Sequence, residues 1–195
     1  MEPAEMQEAV EKLEELVEKT DWGKDHRVED LLLRSRNLAA ALLDPYVLFH
    51  TKVVASLVKK RGGDRIDEVA AWLHDTGRVV TDDGHRDVGY LWAKKWLKKF
   101  YITDEEIERI LDGIKNHGTK DDPKTKTGKM LKLVDALAVF DEGWAAMILK
   151  YYESVGKIEK AIKMLRKKAS VIHELGSPED VEEVERVAKM FGIEV

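Results

Sequence analysis

The chain carries apolar residues at helical spacing along most of its length. In the first segment Met6, Val10, Leu13 and Val17 recur every three or four positions with glutamates between them, which is the pattern of an amphipathic helix. The same periodicity predicts further helices at about 27–43, 46–60, 65–75, 85–99, 103–117 and 129–152, a lysine-rich helix ending before His173, and a last helix that opens at Ser177-Pro178.

Local signals at the ends of these segments support the helical interpretation. Asp44-Pro45 stops the second helix, because a residue before proline is pushed out of the α region. Thr103-x-x-Glu106 predicts a capping box. The only short strand candidate is Arg78-Val79-Val80-Thr81, and we find no internal repeat or linker. The pattern therefore predicts one all-α domain, a single-domain helical bundle spanning residues 1–195.

Composition narrows the class of protein. Of the 195 residues, 44% are hydrophobic and 36% are charged, and no apolar run approaches the roughly 18–20 residues that a membrane span needs. The N-terminus is acidic and helix-patterned, unlike a signal peptide, so we expect a cytoplasmic protein without a membrane partner. A net charge of −5 argues against general nucleic-acid binding. Few Gln and Asn residues beside abundant Lys and Glu fit a thermophile-like composition.

Three residue classes refine this prediction: cysteine, lysine and the aromatic residues. The chain has no cysteine, so any metal must be held by histidine and carboxylate ligands. Positive charge is concentrated in one stretch, which is either a solvated surface or a rim that attracts an anionic substrate; its lysines are Lys115, Lys120, Lys124, Lys126, Lys129 and Lys132. Five aromatic residues fall at core-like spacings and predict packing, not a base-stacking platform: Trp72, Trp92, Trp96, Tyr151 and Tyr152.

Ionisable residues occupy positions where the helical pattern expects apolar ones. His74-Asp75 ends the apolar helix AAWLHDTG, where a buried ionisable pair is costly unless it is paired or coordinated. His50 shares a helix face with Val54 and Leu57 and therefore points toward the core.

Asp135 shows the same anomaly within KMLKLVDALAVF, the most apolar stretch of the chain. A buried carboxylate needs a cation or several hydrogen-bond donors. Three separate helices thus direct potential metal ligands inward. Imidazole and carboxylate together suit Mn, Fe, Co, Ni or Zn.

These residues follow a known pattern. His50, then His74-Asp75 24 positions later, then Asp135 after a further 60, is similar to the H…HD…D signature of the HD superfamily. The segments HTKVVASLV, DEVAAWLHDTGR and LVDALAVFDEGW also resemble the family's motifs around these ligands. The resemblance covers about residues 45–150 and leaves extra helices at both termini. It implies a helical bundle, a metal bound by His50, His74, Asp75 and Asp135, and hydrolysis of phosphate esters, often of nucleotides.

The resemblance leaves the number of metal ions open. In dinuclear HD proteins, histidines between the HD dipeptide and the last aspartate complete a second metal site, with the HD aspartate bridging the ions. His85 and His117 lie in matching regions. Alternatively, both are helix-end histidines that face solvent or hydrogen-bond a substrate phosphate. His26 and His173 lie in polar surroundings and are expected to have no role in the site.

The resemblance also suggests roles in catalysis. Arg78 occupies the position of a family lysine that contacts phosphate in related phosphodiesterases, although it could equally be an ordinary surface arginine. We expect metal-bound hydroxide to attack phosphorus, with Asp75 and Arg78 as catalytic residues. Arg78, Lys115 and His117 are the expected contacts to a small phosphorylated substrate.

Several alternatives remain within this interpretation. The enzyme could be a phosphomonoesterase or a phosphodiesterase. A dinuclear iron oxygenase of the HD type would require His85 and His117 to be ligands and iron to be the native metal. A non-catalytic helical module braced by metal is a third possibility. The amphipathic terminal helices make a homodimer reasonable.

Overall fold

The structure, a computed structural model, describes residues 1–20 and 28–195. Within these ranges the chain forms ten α-helices, two short 3-10 helices and no strand, which confirms the predicted all-α class. No described helix has the length and apolar character needed to cross a bilayer. The α-helices are α1 (Pro3–Glu18), α2 (Val28–Leu42), α3 (Pro45–Lys60), α4 (Arg65–Leu73), α5 (His85–Trp96), α6 (Asp104–Asn116), α7 (Lys126–Ala138), α8 (Glu142–Ser154), α9 (Ile158–Leu175) and α10 (Pro178–Met190).

Polar side chains begin the helices where the sequence predicted them. Thr103 caps α6, because its hydroxyl accepts from the backbone N–H of Glu106, whose carboxylate accepts from the Thr103 backbone at 2.7 Å. Ser177 caps α10 in the same way. The Asp44 carboxylate accepts from two backbone N–H groups at the start of α3. A cap of this kind typically stabilises a helix by about 1 kcal/mol.

Three predicted elements are corrected by the structure. The helix expected over 129–152 is two helices, because the Asp141 carboxylate accepts from the backbone N–H of Trp144 and so begins α8 as a separate helix. The strand candidate at 78–81 is wrong; Thr76–Val79 is a 3-10 helix, and Leu97–Lys99 forms another after α5. His173 lies within the last turn of α9 and not beyond it.

A first hydrophobic cluster joins α1 to α7. Its largest members include Leu13, Trp92, Ile114 and Leu131, each at most 1% exposed. Burying a side chain of this size contributes about 1.5–3 kcal/mol relative to leaving it in water. The cluster therefore holds α3, α4, α6 and α7 against one another, and the polar residues described below lie where these four helices meet.

A second hydrophobic cluster joins α7 to the three C-terminal helices. It contains Phe140, Trp144, Leu165 and Val184. Helix α7 belongs to both clusters, because Leu131 and Val134 face the first while Ala136 faces the second. Helix α9 packs directly against α7 and thereby reaches the same region from the other side.

Candidate metal centre

The structure brings His50, His74, Asp75 and Asp135 together in the interior. His50 lies on α3, His74 caps the C-terminus of α4, Asp75 follows it, and Asp135 lies on α7; all four are buried. The Nε2 atom of His50 is 3.0 Å from Asp135 Oδ1. The Nε2 atom of His74 is 3.6 Å from Asp75 Oδ2 and 3.8 Å from Asp135 Oδ1. The two inward-facing histidines and two carboxylates thus form one cluster.

His85 and His117 extend this cluster on the other side of Asp75. His85 is the first residue of α5, and its Nε2 is 3.3 Å from Asp75 Oδ1. His117 caps the C-terminus of α6, and its Nε2 is 3.8 Å from the same oxygen. Asp75 therefore presents Oδ2 to His74 and Oδ1 to the other two histidines. Three overlapping triads have ligand atoms within 4.8 Å of one another: His50/His74/Asp75, His74/His117/Asp135 and Asp75/His85/His117.

Backbone carbonyl groups set the orientation of three imidazole rings. In each ring Nδ1 lies within hydrogen-bonding distance of a carbonyl oxygen, and because that oxygen only accepts, Nδ1 carries the proton. The Nε2 lone pair is then directed into the cluster, which is how metal-binding histidines are usually held. The pairs are His74 with Ala71 at 2.7 Å, His85 with Asp82 at 2.9 Å and His117 with Ile114 at 2.9 Å.

Three buried polar atoms at the centre of the cluster form no well-aligned hydrogen bond within the described residues, although Asp75 Oδ1 lies within ion-pair distance of Arg78 and His85. They are His74 Nε2, Asp75 Oδ1 and His85 Nε2. A buried polar atom left without a partner costs about 1–3 kcal/mol, so such atoms call for a bound ion or a catalytic role. Imidazole nitrogen and carboxylate oxygen are ligands that divalent transition metals accept. The residues present therefore fit a metal of this class.

The surroundings keep these groups in the protonation states that bind metal. Burial lowers the pKa of His74, and it lowers the pKa of His117 to about 3, so both imidazoles are neutral near pH 7. Burial by itself would raise the pKa of Asp75 and of Asp135. Neighbouring positive charge outweighs burial and holds both pKa values well below the ordinary range. Neutral imidazole and ionised carboxylate are the forms that coordinate a cation.

Two cations border the cluster, and one of them was missed in the sequence. The Nε atom of Arg78 is 2.9 Å from Asp75 Oδ1, and its Nη1 is 3.2 Å from Asp82. Lys168 reaches in from α9 and forms an ion pair with Asp135. The sequence did contain a signal for Lys168, because it stands three residues after Leu165 and four before Ile172 on the buried face of α9.

An open cavity of about 650 Å³ lies over the cluster. This volume is typical of small-molecule sites. One wall is apolar and comes mainly from α3 and α8, with the Trp144 ring centroid 5.5 Å from that of His50. Tyr152 also lines the cavity, which corrects the expectation that it is a core residue; Trp92 and Trp96 are core residues as expected, while Tyr151 is exposed. Arg78, Arg86 and lysines of α9 line the remainder.

None of the six lysines between Lys115 and Lys132 lines this cavity, although His117, Gly118 and Thr119 of the same stretch do. Lys115 forms an ion pair with Asp87 and lies over the Tyr90 ring, and it is not among the cavity-lining residues. Three other lysines of the stretch contact nearby acceptors. Lys124 forms an ion pair with Asp122 and Lys126 with Asp64, and Lys132 donates a hydrogen bond to the backbone carbonyl of Asp121. The predicted anion-attracting rim at this stretch and the predicted role of Lys115 in substrate binding are therefore not supported by the geometry.

The two histidines without an expected role are accounted for separately. His173 is exposed on α9 and does not line the cavity. His26 lies outside the described residues.

Comparison with known proteins identifies the segment that holds the cluster. Residues 50–139 match the family model of the HD domain. Among curated protein sequences none is significantly similar to the chain. A crystal structure of a predicted HD superfamily hydrolase from an uncultured Thermotogales bacterium is similar at 22% identity and a TM-score of 0.49, covering 85% of this chain and 93% of that chain. The matched segment begins at His50 and includes all six residues of the cluster. Residues 50–139 therefore match an HD domain, and this matched segment contains the whole cluster.

Proposed function

We propose that the protein hydrolyses a phosphate ester of a small molecule. The observation that carries this proposal is the composition of one cavity, in which neutral imidazoles and ionised carboxylates form the floor beside Arg78 and Lys168. A cation on the floor and positive side chains around it complement a phosphoryl group, whose negative charge is spread over several oxygens. The match of residues 50–139 to the HD domain supports the reaction class, because proteins with this domain commonly hydrolyse phosphate esters.

The same residues define how a metal would be held. We assign His50, His74, Asp75 and Asp135 to one divalent ion, and His85, His117 and the second oxygen of Asp75 to another. The Oδ2 atom of Asp75 faces His74, and its Oδ1 atom faces His85 and His117; this arrangement supports two ions rather than one. When bound, such an ion supplies a Lewis acid that polarises a phosphoryl oxygen and lowers the pKa of coordinated water. The sequence-based choice among Mn, Fe, Co, Ni and Zn is unchanged by the geometry.

The protein's own side chains have distinct tasks in this proposal. Arg78 fixes the orientation of Asp75 through its Nε and presents the rest of its guanidinium group to the cavity. Lys168 balances the charge of Asp135 and lies where a phosphoryl oxygen could take a hydrogen bond from its ammonium group. Trp144 and the apolar wall exclude water from one side of the site, which strengthens these electrostatic contacts.

A second candidate function is that of a dinuclear iron oxygenase. The observation in its favour is that His85 and His117 both face Asp75, as a dinuclear site requires. The cationic lining of the cavity favours the phosphohydrolase, since an oxygenase has no general need for it. A non-catalytic, metal-braced module would not need an open cavity above the metal ligands. Iron as the native metal, with an iron–iron spectroscopic signature and no phosphatase activity, would favour the oxygenase.

Metal analysis combined with a substrate screen tests the proposal. We would purify the protein without chelators, determine the bound metals, and assay a chromogenic aryl phosphate monoester and the corresponding diester with Mn, Fe, Co, Ni and Zn. The monoester and diester distinguish a phosphomonoesterase from a phosphodiesterase. His74→Ala and Asp75→Ala are expected to lose metal and activity, while His173→Ala retains both. Unchanged metal content and turnover in His74→Ala and Asp75→Ala would overturn the proposal.

A further inference from the structure

Helix α9 brings a row of lysines to the cavity although it lies outside the HD domain. Lys160, Lys163, Lys167 and Lys168 follow one another at i, i+3, i+7 and i+8, so they share one face of the helix. All four line the cavity that contains the metal centre. With a rise of about 1.5 Å per residue, the row extends roughly 12 Å along the helix axis from the end that touches Asp135.

The middle of this row is not neutralised by the protein. Among the described residues, no carboxylate lies within ion-pair distance of Lys163 or Lys167, whereas Lys168 at the end of the row pairs with Asp135. Like charges spaced three or four residues apart on a helix repel one another. A row of this kind is therefore stabilised by an anion that binds from the cavity.

The rest of the cavity offers no competing negative charge for these two lysines. Its only acidic lining residues in the described chain are Asp75 and Asp135, which belong to the metal centre. The facing wall, with Val47, Trp144 and Ile148, is apolar. The cavity thus has a cationic side and an apolar side above a metal-binding floor.

We propose that Lys163 and Lys167 bind a second anionic group of the substrate, and that this group is a phosphate in addition to the one being hydrolysed. The inference rests on the proposed phosphohydrolase function. A single phosphoryl group at the metal centre is already surrounded by the metal ligands, Arg78 and Lys168, so the remaining positive charge along α9 exceeds what that group requires. Helix α9 is then the element that sets substrate specificity, outside the HD domain itself.

Binding of phosphonates, which are not hydrolysed, tests this inference without relying on turnover. Calorimetry on the metal-loaded protein would compare methylphosphonate, with one anionic group, and methylenebisphosphonate, with two. The unmodified protein is expected to bind the bisphosphonate at least about tenfold more tightly, because two charge-assisted contacts are added. The double variant Lys163→Gln/Lys167→Gln is expected to lose that advantage and to change the methylphosphonate affinity by less than about twofold.

A matched control separates local contacts from net charge. The double variant Lys150→Gln/Lys189→Gln removes the same charge from exposed positions that do not line the cavity, and it is expected to keep the preference for the bisphosphonate. The bisphosphonate also chelates free metal in solution. This effect is the same for the unmodified protein and both variants, so it does not alter the difference in affinity between them.

The possible outcomes separate this inference from the proposed function. Equal weakening of both probes in Lys163→Gln/Lys167→Gln, or an equal loss in the control, would overturn the role of α9. If the unmodified protein binds the bisphosphonate no more tightly than methylphosphonate, the role of α9 is also overturned, even if the protein hydrolyses phosphate esters. Conversely, a preference that depends on Lys163 and Lys167 in a protein without phosphatase activity would support this binding site and count against the proposed reaction.

Discussion

The Nε2 atom of His85 lies 3.3 Å from Oδ1 of Asp75, although Asp75 follows α4 and His85 begins α5. The 3-10 helix Thr76–Val79 separates them in sequence and folds the start of α5 back over the HD dipeptide. Gly77 makes this approach possible, because a Cβ atom at that position would overlap the carbonyl oxygen of His85. The geometry that divides Asp75 between two groups of histidines thus depends on a residue without a side chain.

Replacing Gly77 tests this dependence. Gly77→Ala is expected to displace the start of α5, to lower the free energy of unfolding by about 1–3 kcal/mol through overpacking, and to weaken metal binding at His85. Urea unfolding and metal analysis would measure the two effects. Gly143→Ala is the control, since its added Cβ would meet nothing closer than 3.3 Å. A fully stable Gly77→Ala protein with unchanged metal content would contradict the argument.

The number of metal ions can be tested at His85 itself. If Asp75 bridges two ions, His85→Ala is expected to reduce the metal content from two ions per chain to one, because the ion on the Oδ1 side loses one of three protein ligands. Elemental analysis of protein equilibrated with Mn or Fe gives the stoichiometry directly. The His50, His74 and Asp135 side of the cluster is left intact. A wild-type protein with a single ion, unaffected by His85→Ala, would show that His85 is not a ligand.

Arg78 is expected to act through the shape of its side chain as well as its charge. Arg78→Lys keeps the positive charge but removes the planar fork that contacts Asp75 and Asp82. We expect kcat/KM for a phosphate ester to fall by about 10–100-fold, corresponding to roughly 1.4–2.7 kcal/mol. Metal content should remain unchanged, and steady-state kinetics would measure the loss. Full activity in Arg78→Lys would indicate that only its charge matters.

An ionic network at the start of α4 predicts how stability depends on pH. Asp64 caps α4, and partial burial would raise its pKa, but hydrogen bonds from Lys126 and Arg109 lower it well below the ordinary value. Because the folded-state pKa is the lower one, the stabilisation is complete above the ordinary pKa of about 4 and is lost as the pH falls toward the folded-state value.

Asp64→Asn retains a capping side chain but removes the charge. At pH 7 the variant is expected to be less stable by about 1 kcal/mol, a value kept small because the Asp64 side chain is 42% exposed and its ion pairs are screened by water. The difference from the unmodified protein should shrink between pH 5 and pH 3, as measured by urea unfolding at each pH. A difference that stays constant over this range would exclude a contribution from the Asp64 charge.

Much of the fold could be predicted because the signals that define helices are local. Amphipathic spacing located the helices, and the capping residues Thr103 and Ser177 stand at the beginnings of α6 and α10. The break between α7 and α8 was missed because apolar residues continue on both sides of Asp141, whose capping bond is a single short polar interruption. The conformation of residues 76–79 depends on the close approach of α5, which sequence periodicity does not encode.

The candidate site was predicted where a polar residue interrupts an apolar face. His50, His74 and Asp135 stood out by that criterion and lie together. Lys168 satisfied the same criterion, but the lysines around it made it resemble a solvated surface. Its pairing with Asp135 joins residues 33 positions apart and follows from the packing of α9 on α7. The homodimer and the cytoplasmic location expected from the sequence stay predictions.

The position of Asp135 on α7 has a consequence for the whole chain. Since α7 is shared by the two hydrophobic clusters, a metal ion that holds Asp135 also holds the surface against which α9 packs, and α8 and α10 pack in turn on α9. A ligand that binds only the folded state stabilises every part that must be folded for binding. Metal occupancy and the protection of the α10 backbone amides from hydrogen exchange are then thermodynamically linked. The exchange rate of the Val184 amide, in the second hydrophobic cluster, should therefore fall when metal binds.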